Sequence, residues 1–347
     1  MTLQSRDLLT VRDLAAYGAS LHSEDGVTEL ISEIATPDIK ETRFVREIDL
    51  DEIDKKLWQE LAANCRYSYK YLGDRLGLSA NAAKKRVEKL VETGFIKGWY
   101  LGMKPAMLDA QFAFIEVATD GSQDDEKLVE ELGSNDMVFV LLPLTTGDYV
   151  LHAEFIGAPG LLELTSFLRQ VNGVRDVKVH PTTTSPGKKI ELNSLHLRVL
   201  SSLAKDPRMS VSDISRNSGL TARRVRRLVD ELIDSDAFDF SFIWNPNAGD
   251  SMAFIAKIEY DSRQAKSDDI DRRIREDYSL EYFYSHVSAI EPVMFSVFMV
   301  DHLFDIEKIS RAIKKFPGVA TVSTMIYYSA TVLTPPTRSR LEEMLAE

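Results

Sequence analysis

Four arginines crowd into five residues of the stretch TARRVRRLVDEL, at positions 223, 224, 226 and 227. A guanidinium group is permanently charged and donates parallel hydrogen bonds, which suits it to phosphate oxygens and to the O6 and N7 acceptors of guanine. The apolar residues between the arginines recur at helical spacing, so we predict one amphipathic helix with a basic outward face. Such a face is typical either of a solvated surface or of one that binds a polyanion.

The composition of the whole chain does not explain this stretch. The 347 residues carry a formal net charge of -12, are 44% hydrophobic, and include one cysteine and six histidines. They contain no run of 18 apolar residues and no basic-then-apolar leader, so we expect a cytoplasmic protein that does not enter a membrane. Cys65 has no partner for an internal disulfide, and the histidines do not cluster at zinc-ligand spacing. No metal and no cofactor is expected.

The chain contains an internal repeat, which decides the fold prediction. The segment from Leu50, LDEIDKKLWQELAANCRYSYKYLGDRLGLSANAAKKRVEKLVETGFI, aligns without a gap with the segment from Leu192, LNSLHLRVLSSLAKDPRMSVSDISRNSGLTARRVRRLVDELIDSDAF. After one or two deletions the similarity resumes, and AFIEVA at 113 matches AFIAKI at 253. The chain therefore consists of two copies of one unit, each of ordinary domain size.

Each copy begins with the periodicity of three short helices. In the first copy Gly77 stands where the second helix must end, and Ser79 is placed to cap the third; Thr221 repeats that cap in the second copy. The following stretch, FIKGWYLGMKP, predicts two short strands around Gly98, which would form a β-wing. The pattern predicts a winged helix-turn-helix in each copy.

Each copy then changes to the order strand, helix, strand, strand, helix, strand, which is that of a ferredoxin-like domain. The predicted fold class is therefore α+β, with two winged helix-turn-helix domains alternating with two ferredoxin-like (βαββαβ) domains. Strands such as FAFIEVA and VMFSVFMV are apolar on both faces, whereas the helices of such a domain cover only one face of its sheet. We therefore expect the two sheets to pack against each other, as an internal pseudo-dimer or in a homo-oligomer.

The expected domain boundaries follow from these changes of pattern and from the Pro/Gly/Thr-rich stretch HPTTTSPGKK. They are an N-terminal extension (1–45), a first winged helix-turn-helix (46–106), a first ferredoxin-like sensing and oligomerisation domain (107–181), a linker (182–189), a second winged helix-turn-helix (190–248), a second ferredoxin-like domain (249–335) and a C-terminal helix (336–347).

The position of the arginines within this order favours nucleic acid over a merely solvated surface. They lie on the third helix of the second helix-turn-helix, and the third helix of such a motif enters the DNA major groove. The corresponding helix of the first copy is also basic, and we predict double-stranded DNA as the partner. The expected DNA-binding residues are Arg66, Lys70, Ser79, Asn81, Lys84, Lys85, Lys97, Arg208, Thr221, Arg223, Arg224, Arg226 and Arg227.

The first helix-turn-helix segment, together with KKFPGVATVST at 314–324, resembles the Lrp/AsnC family of transcriptional regulators. The resemblance implies a sequence-specific DNA-binding regulator in which a winged helix-turn-helix precedes a ferredoxin-like domain that senses a ligand and oligomerises. By the same resemblance Ser79, Asn81, Lys84 and Lys85 match the positions that read DNA, whereas Arg86 matches an arginine that supports the motif. The tandem fusion departs from the usual single unit per chain.

The resemblance also implies a small-molecule effector site at the turn between the middle strands. Members that sense amino acids have Thr-Gly-x-aromatic-Asp there; this chain has Thr146, Gly147, Asp148 and Tyr149, but Val150 in place of the last Asp. Amino-acid sensing is therefore not expected, although Thr146, Gly147, Asp148 and Glu291 remain candidates for another effector. The alternative is that these residues only form tight hairpin turns.

An enzyme is the alternative from a different class. Sirohaem decarboxylases have a similar architecture and are sometimes fused in tandem, and the family pattern is His-Asn-Tyr-x-Arg followed by another His. Neither VFVLLPLTTGDYVLHAEF nor YFYSHVSAIEPVMFSVF contains that string, and no nucleophile–base pair is recognisable elsewhere. We therefore expect no catalytic residues and no enzymatic activity.

Overall fold

The computed structural model describes residues 50–122, 124–183, 186–245 and 252–346, so the N-terminal extension lies outside the described residues. Its elements, in chain order, are α1 (Glu52–Ala63), α2 (Tyr69–Leu76), α3 (Ala80–Glu92), β1 (Ile96–Met103), β2 (Gln111–Thr119), α4 (Asp125–Leu132), β3 (Val138–Pro143), β4 (Tyr149–Phe155), α5 (Gly157–Gln170), β5 (Val174–Pro181), α6 (Ser194–Leu203), α7 (Val211–Ser218), α8 (Ala222–Asp234), β6 (Phe238–Trp244), β7 (Met252–Tyr260), α9 (Ser267–Asp277), β8 (Tyr282–Val287), β9 (Val293–Val300), α10 (Leu303–Ile313), β10 (Val319–Tyr327), β11 (Thr331–Val332) and α11 (Pro336–Ala346). No helix in these ranges is long and apolar enough to cross a lipid bilayer.

Both helix-turn-helix motifs form as the sequence predicts. The first consists of α1, α2 and α3 and the second of α6, α7 and α8. In both, a glycine in the left-handed region ends the middle helix: Gly77 has a φ of 69° and Gly219 a φ of 65°. Because glycine lacks a Cβ, it takes this conformation without the strain that another residue would carry, and the chain can turn directly into the third helix.

The predicted turn at Gly98, between two short strands, is wrong. Gly98 is not at a turn between two short strands; it lies within one continuous strand, β1, which pairs antiparallel with β6 of the second unit. The register runs from Ile96 opposite Trp244 to Met103 opposite Phe238, with an irregularity between Ile96 and Gly98. Each helix-turn-helix is therefore followed by one strand of a shared two-stranded ribbon, which connects the two motifs.

Each unit then folds into a ferredoxin-like sheet. The second sheet has the order β10-β7-β9-β8, and the first has the order β11-β3-β4-β2-β5. When β11 is left out and one sheet is read in reverse, the two orders are the same. In each, the first strand of the βαββαβ unit lies between the third and fourth strands of that unit. Helices α4 and α5 cover the outer face of the first sheet, while α9 and α10 cover that of the second.

The inner faces of the two sheets pack against each other within one chain. Their apolar side chains form a single cluster in which Phe114 of the first sheet stacks on Phe295 of the second, with ring centroids 3.9 Å apart. Backbone hydrogen bonds also join the two units at both ends of the interface. Thr145 donates its N–H to the carbonyl oxygen of Ile326, and Ala289 donates its N–H to the carbonyl oxygen of Pro181. The arrangement is an internal pseudo-dimer with an approximate two-fold axis.

The C-terminal segment crosses to the first unit. Residues 331–332, which the sequence analysis placed in the second ferredoxin-like domain, pair as β11 with β3 at the edge of the first sheet. The following helix, α11, packs Leu341 into the core of the second helix-turn-helix. A short strand of this kind leaves no local signal, since its partner lies far away in the sequence.

Candidate nucleic-acid interface

The third helix of the first motif, α3, exposes its polar residues. Ala83, Val87 and Leu90 are buried against α1 and α2, whereas Asn81, Lys84 and Lys85 are exposed. Lys84 lies 3.5 Å from Glu88 on the same helix. An exposed pair at this spacing is weak, so Lys84 remains free to exchange its partner for a phosphate.

The third helix of the second motif, α8, has a stronger separation of faces. Its buried residues are Val225, Leu228, Val229 and Leu232. The four arginines are all exposed. Arg227 forms an ion pair with Glu231 at 3.2 Å, whereas Arg223, Arg224 and Arg226 form no ion pair with any residue that the structure describes. Arg223, Arg224 and Arg226 therefore form an uncompensated cationic surface at the start of this helix.

Both third helices begin with a hydroxyl cap. The Ser79 hydroxyl accepts the N–H of Ala82 at 3.1 Å, and the Thr221 hydroxyl accepts the N–H of Arg224 at 3.4 Å. Each cap satisfies one of the backbone donors that a helix start leaves without a partner. Both residues are exposed, so each hydroxyl can also donate to a phosphate oxygen.

The remaining basic residues of the first motif divide into two groups. Lys70 and Lys97 are exposed, as a DNA contact requires. Arg86 instead donates to Asp51 at 2.8 Å and to Asp54 at 2.6 Å, which joins α3 to α1. These bonds link the two helices, as expected of an arginine that supports the motif.

Arg66 and Arg208, which the sequence analysis assigned to DNA, both lie between the two helix-turn-helix motifs. The guanidinium of Arg66 donates to the carbonyl oxygens of Pro207 and, at 3.1 Å, of Met209. The guanidinium of Arg208 lies over the ring of Trp99, 4.5 Å from its centroid. These two residues, which the repeat aligns with each other, therefore hold one motif against the other.

The candidate effector turn is held by its own hydrogen bonds. The Asp148 carboxylate accepts the N–H of Thr119 at 3.1 Å and the hydroxyl of Thr146 at 3.3 Å, and Gly147 has a φ of 85°. The Thr119 hydroxyl donates to the Gly147 carbonyl at 2.9 Å. Asp148 therefore fixes the turn to the end of β2, whatever else it does.

A cavity of about 530 Å³ lies beside this turn, between the two sheets. Its lining includes Thr146 and Asp148 from the turn, together with Lys178 of β5 and Lys257 of β7. Glu291 is not in the lining: it forms an ion pair with Lys178 at 2.7 Å. The structure thus brings Thr146 and Asp148 to one cavity and assigns Glu291 to a contact between the two units.

The sequence analysis missed a charged cluster within the sheet interface. Glu116 of β2 accepts from Nζ of Lys257, which lies 2.8 Å from both carboxylate oxygens, and pairs with Nε2 of His180 at 3.0 Å. Burial alone would raise the pKa of Glu116, but the hydrogen bonds from His180 and Lys257 lower it below its usual value. The signal was present in the sequence, since FAFIEVA and AFIAKI each have one charged residue in an apolar strand.

Two histidines also face each other across the sheets, His152 buried and His286 partly buried. The rings of His152 and His286 lie 5.2 Å apart, and Nε2 of each has no hydrogen-bond partner among the described residues. Burial lowers the pKa of His152 to about 3 and, together with the nearby His152, that of His286 well below its usual value. No group of three or more His, Cys, Asp or Glu side chains in the described ranges is arranged to hold a metal ion.

Family models match both helix-turn-helix motifs. Residues 50–91 match the AsnC-type helix-turn-helix domain, and residues 192–236 match a winged helix-turn-helix DNA-binding model. The two matches include α8 and all of α3 except its last residue.

Known proteins resemble the chain in sequence and in fold. The HTH-type transcriptional regulator LrpA of Bacillus subtilis is 31% identical over 132 residues, which span 38% of this chain and 95% of LrpA. The leucine-responsive regulatory protein of Escherichia coli is 36% identical over 78 residues, 22% of this chain and 48% of that protein. The solved structure of the siroheme decarboxylase NirDL in co-complex with an iron-uroporphyrin III analogue is similar in fold, with a TM-score of 0.53 and 13% identity, over 85% of this chain and 99% of that one. The chain belongs to the Lrp/AsnC family of transcriptional regulators and has two helix-turn-helix units in tandem.

Proposed function

We propose that this protein is a sequence-specific regulator of transcription that places α3 and α8 in the major groove of double-stranded DNA. The observation that carries the proposal is that both third helices bury their apolar stripe and expose a basic face. A helix-turn-helix presents that face to base edges and phosphates. Exposed lysine and arginine side chains there supply both the phosphate contacts and the donors for base recognition.

The electrostatics of α8 support an anionic partner. Arg223 and Arg224 lie in its first turn, where the helix macrodipole is positive. Each cation at this end costs the isolated protein roughly 0.3 to 1 kcal/mol, because like partial charges repel. A DNA phosphate placed there would remove that cost and would also accept the free backbone N–H groups.

The two helices present different chemistry and would therefore read different half-sites. Asn81 of α3 aligns in the repeat with Arg223 of α8. Asparagine pairs in a bidentate manner with adenine, and arginine with guanine. A single chain should accordingly prefer an asymmetric operator.

Selection from random duplexes tests this proposal. The protein should enrich a defined site whose two halves differ, one with adenine and the other with guanine at the contacted positions. A selected site that is a perfect palindrome within the footprint of one chain would contradict the asymmetry, and no enrichment over the starting pool would contradict sequence-specific binding.

A small polar effector in the cavity beside Thr146 and Asp148 is the second part of the proposal. The cavity lies between the two sheets and is lined by carboxylates and ammonium groups, including Asp148, Lys178 and Lys257. A ligand that binds only the folded state at 100 times its Kd would stabilise the protein by about 2.7 kcal/mol. Thermal unfolding against a panel of polar metabolites should reveal a stabilising compound, and that compound should change DNA affinity. If no compound in the panel changes the thermal stability or the DNA affinity, the result would argue that Thr146 and Asp148 only form a turn and bind no effector.

The fold similarity to NirDL keeps catalysis as the second candidate, although it rests on fold alone. Of the histidines between the sheets, His152 and His286 lie among aromatic rings, and His180 is paired with Glu116. The sequence also lacks the His-Asn-Tyr-x-Arg string of that enzyme family. Incubation with sirohaem should therefore yield no decarboxylated product; release of carbon dioxide would reverse the order of the two candidates.

A further inference from the structure

Glu116 and Lys257 occupy equivalent positions in the two units. Strands β2 and β7 are each nine residues long, and both residues are sixth in their strand. The structure therefore shifts by one residue the sequence alignment of AFIEVA with AFIAKI, which paired Glu116 with Ala256, and places the inward-facing Phe114 and Ile255 at equivalent positions. Each of these strands lies between the third and fourth strands of its own ferredoxin-like sheet. The side chains of Glu116 and Lys257 both point to the inner face, where they line the same cavity.

The contact between two equivalent positions places them beside the pseudo-two-fold axis. In a two-fold assembly a residue meets its own counterpart only near the axis, whereas elsewhere residue i meets a different residue j. Nζ of Lys257 lies 2.8 Å from both carboxylate oxygens of Glu116, so the two equivalents touch directly. At this position the first unit has a negative side chain and the second unit has a positive one.

A second ion pair across the interface also involves a residue whose counterpart in the other unit lacks the same charge. Lys178 of β5 pairs with Glu291 of the β8–β9 turn at 2.7 Å. The residue corresponding to Lys178 is Ser323, because Lys178 is opposite Glu116 and Ser323 is opposite Lys257 in the strand registers. Two second units would therefore place Glu291 against Ser323 and lose this ion pair.

The Glu116–Lys257 pair is shielded enough from water for the sign of each charge to affect the stability of the interface. The side chain of Glu116 is 24% exposed and that of Lys257 is 16% exposed. Like charges brought together in such a site repel strongly and lose their solvation at the same time. By contrast, the apolar stack of Phe114 on Phe295 carries no charge and would not distinguish a first unit from a second unit.

We propose that Glu116 and Lys257 make the sheet interface selective, so that a first unit pairs with a second unit and not with another copy of itself. Two first units would bring Glu116 against Glu116 at the axis, and two second units would bring Lys257 against Lys257. The surface of each unit thus specifies its partner by charge. In this tandem chain that partner is the other half of the same molecule.

Charge reversal in the full chain tests the proposal. E116K leaves two lysines at the axis, and K257E leaves two carboxylates there. Each should raise the equilibrium constant for unfolding by about ten- to a hundredfold, allowing for partial exposure, and the E116K/K257E double variant should recover most of the loss. R311E is the matched control, since Arg311 pairs with Glu307 on an exposed helix face and its reversal should change the constant by less than about threefold.

Unit exchange between chains tests the selectivity itself. E116K and K257E chains that are unfolded and refolded together can restore both opposite-charge pairs only by exchanging units, which gives a dimer of twice the 39.1 kDa chain mass. We expect that dimer in the mixture and in neither variant alone. E116Q and K257M, which remove one charge without introducing repulsion, provide milder variants if a reversed chain does not refold. The proposal is overturned if the E116K and K257E effects are additive in the double variant, or if the mixture gives no more dimer than the separate chains.

Discussion

Trp58, in the first helix of the first motif, stacks on Phe283, in the edge strand of the second sheet, with ring centroids 4.5 Å apart and planes 15° apart. Beside this stack Lys55 donates to Asp301 at 2.7 Å. Trp58 is only 1% exposed, so the contact is part of the core and not a surface touch. The first helix-turn-helix is therefore fixed to the ferredoxin-like sheet of the other unit.

The Trp58 stack predicts that the two domains unfold together. Trp58→Ala should lower the free energy of unfolding by about 3 to 5 kcal/mol, because it removes a large buried ring. Phe283→Ala should also destabilise, and the pair should show a coupling energy of about 0.5 to 1.5 kcal/mol in a double-mutant cycle. Urea unfolding measures all three. Additive effects, or separate transitions in the unmodified protein, would contradict the coupling.

The C-terminal helix should depend on a buried carboxylate of the first sheet. Glu154 is 6% exposed and accepts from the backbone N–H of Thr337 at 3.1 Å and from its hydroxyl at 3.2 Å. Leucine cannot accept either bond, so Glu154→Leu should cost about 1 to 3 kcal/mol of unfolding free energy. Glu343→Leu on the exposed face of α11 is the control and should stay within about 0.5 kcal/mol. Equal effects at the two positions would show that the Thr337 contact contributes nothing.

Arg66 and Lys70 should give opposite results in stability and in DNA binding. Arg66 donates to two carbonyl oxygens of the second motif, so Arg66→Ala should lower the free energy of unfolding by about 1.5 to 3 kcal/mol. Lys70 is exposed, and Lys70→Ala should leave stability nearly unchanged while weakening DNA binding. Measuring unfolding and DNA affinity for both variants separates the two roles. A stable Arg66→Ala protein that has lost only DNA affinity would restore the original assignment of Arg66.

Acid should destabilise the sheet interface through His152 and His286. Burial holds the pKa of His152 at about 3, below the ordinary value near 6.5 that the unfolded chain recovers. As the pH falls below 6.5, the unfolded chain therefore binds a proton that the folded chain does not, and stability falls by up to about 1.4 kcal/mol per pH unit for each histidine. A His152→Phe/His286→Phe variant should show a shallower loss between pH 7 and pH 5 in urea unfolding. The exposed His302→Gln control should keep the original slope, and equal slopes in all proteins would contradict the assignment.

Local patterns predicted the order of elements well. Apolar spacing located the three helices of each motif, and Gly77 with Ser79 marked the turn before α3, because these signals act within a few residues. The repeat then transferred the same assignment to the second unit. The packing of the two sheets was also predictable, since strands apolar on both faces require two layers of cover.

Long-range partners could not be predicted in the same way. Gly98 suggested a turn, but the partner of β1 lies in the other unit, and no local pattern encodes that pairing. The contact of Arg66 with the second motif could not be predicted either, because a basic residue in a sequence has the same charge whether it faces solvent or the carbonyls of another motif. Glu116 and Lys257 were recognisable as charges in apolar strands, but their contact required the three-dimensional arrangement of both sheets.

The salt dependence of DNA binding tests the central claim most directly. The logarithm of the binding constant should be measured against the logarithm of salt concentration for the unmodified protein and for Lys84→Ala/Lys85→Ala, Arg223→Ala/Arg224→Ala and the exposed control Lys314→Ala/Lys315→Ala. Each lost phosphate contact should reduce the magnitude of the slope by about 0.9, so both third-helix variants should have shallower slopes while the control keeps the slope of the unmodified protein. Unchanged slopes and affinities in both third-helix variants would contradict the assignment of α3 and α8 to DNA.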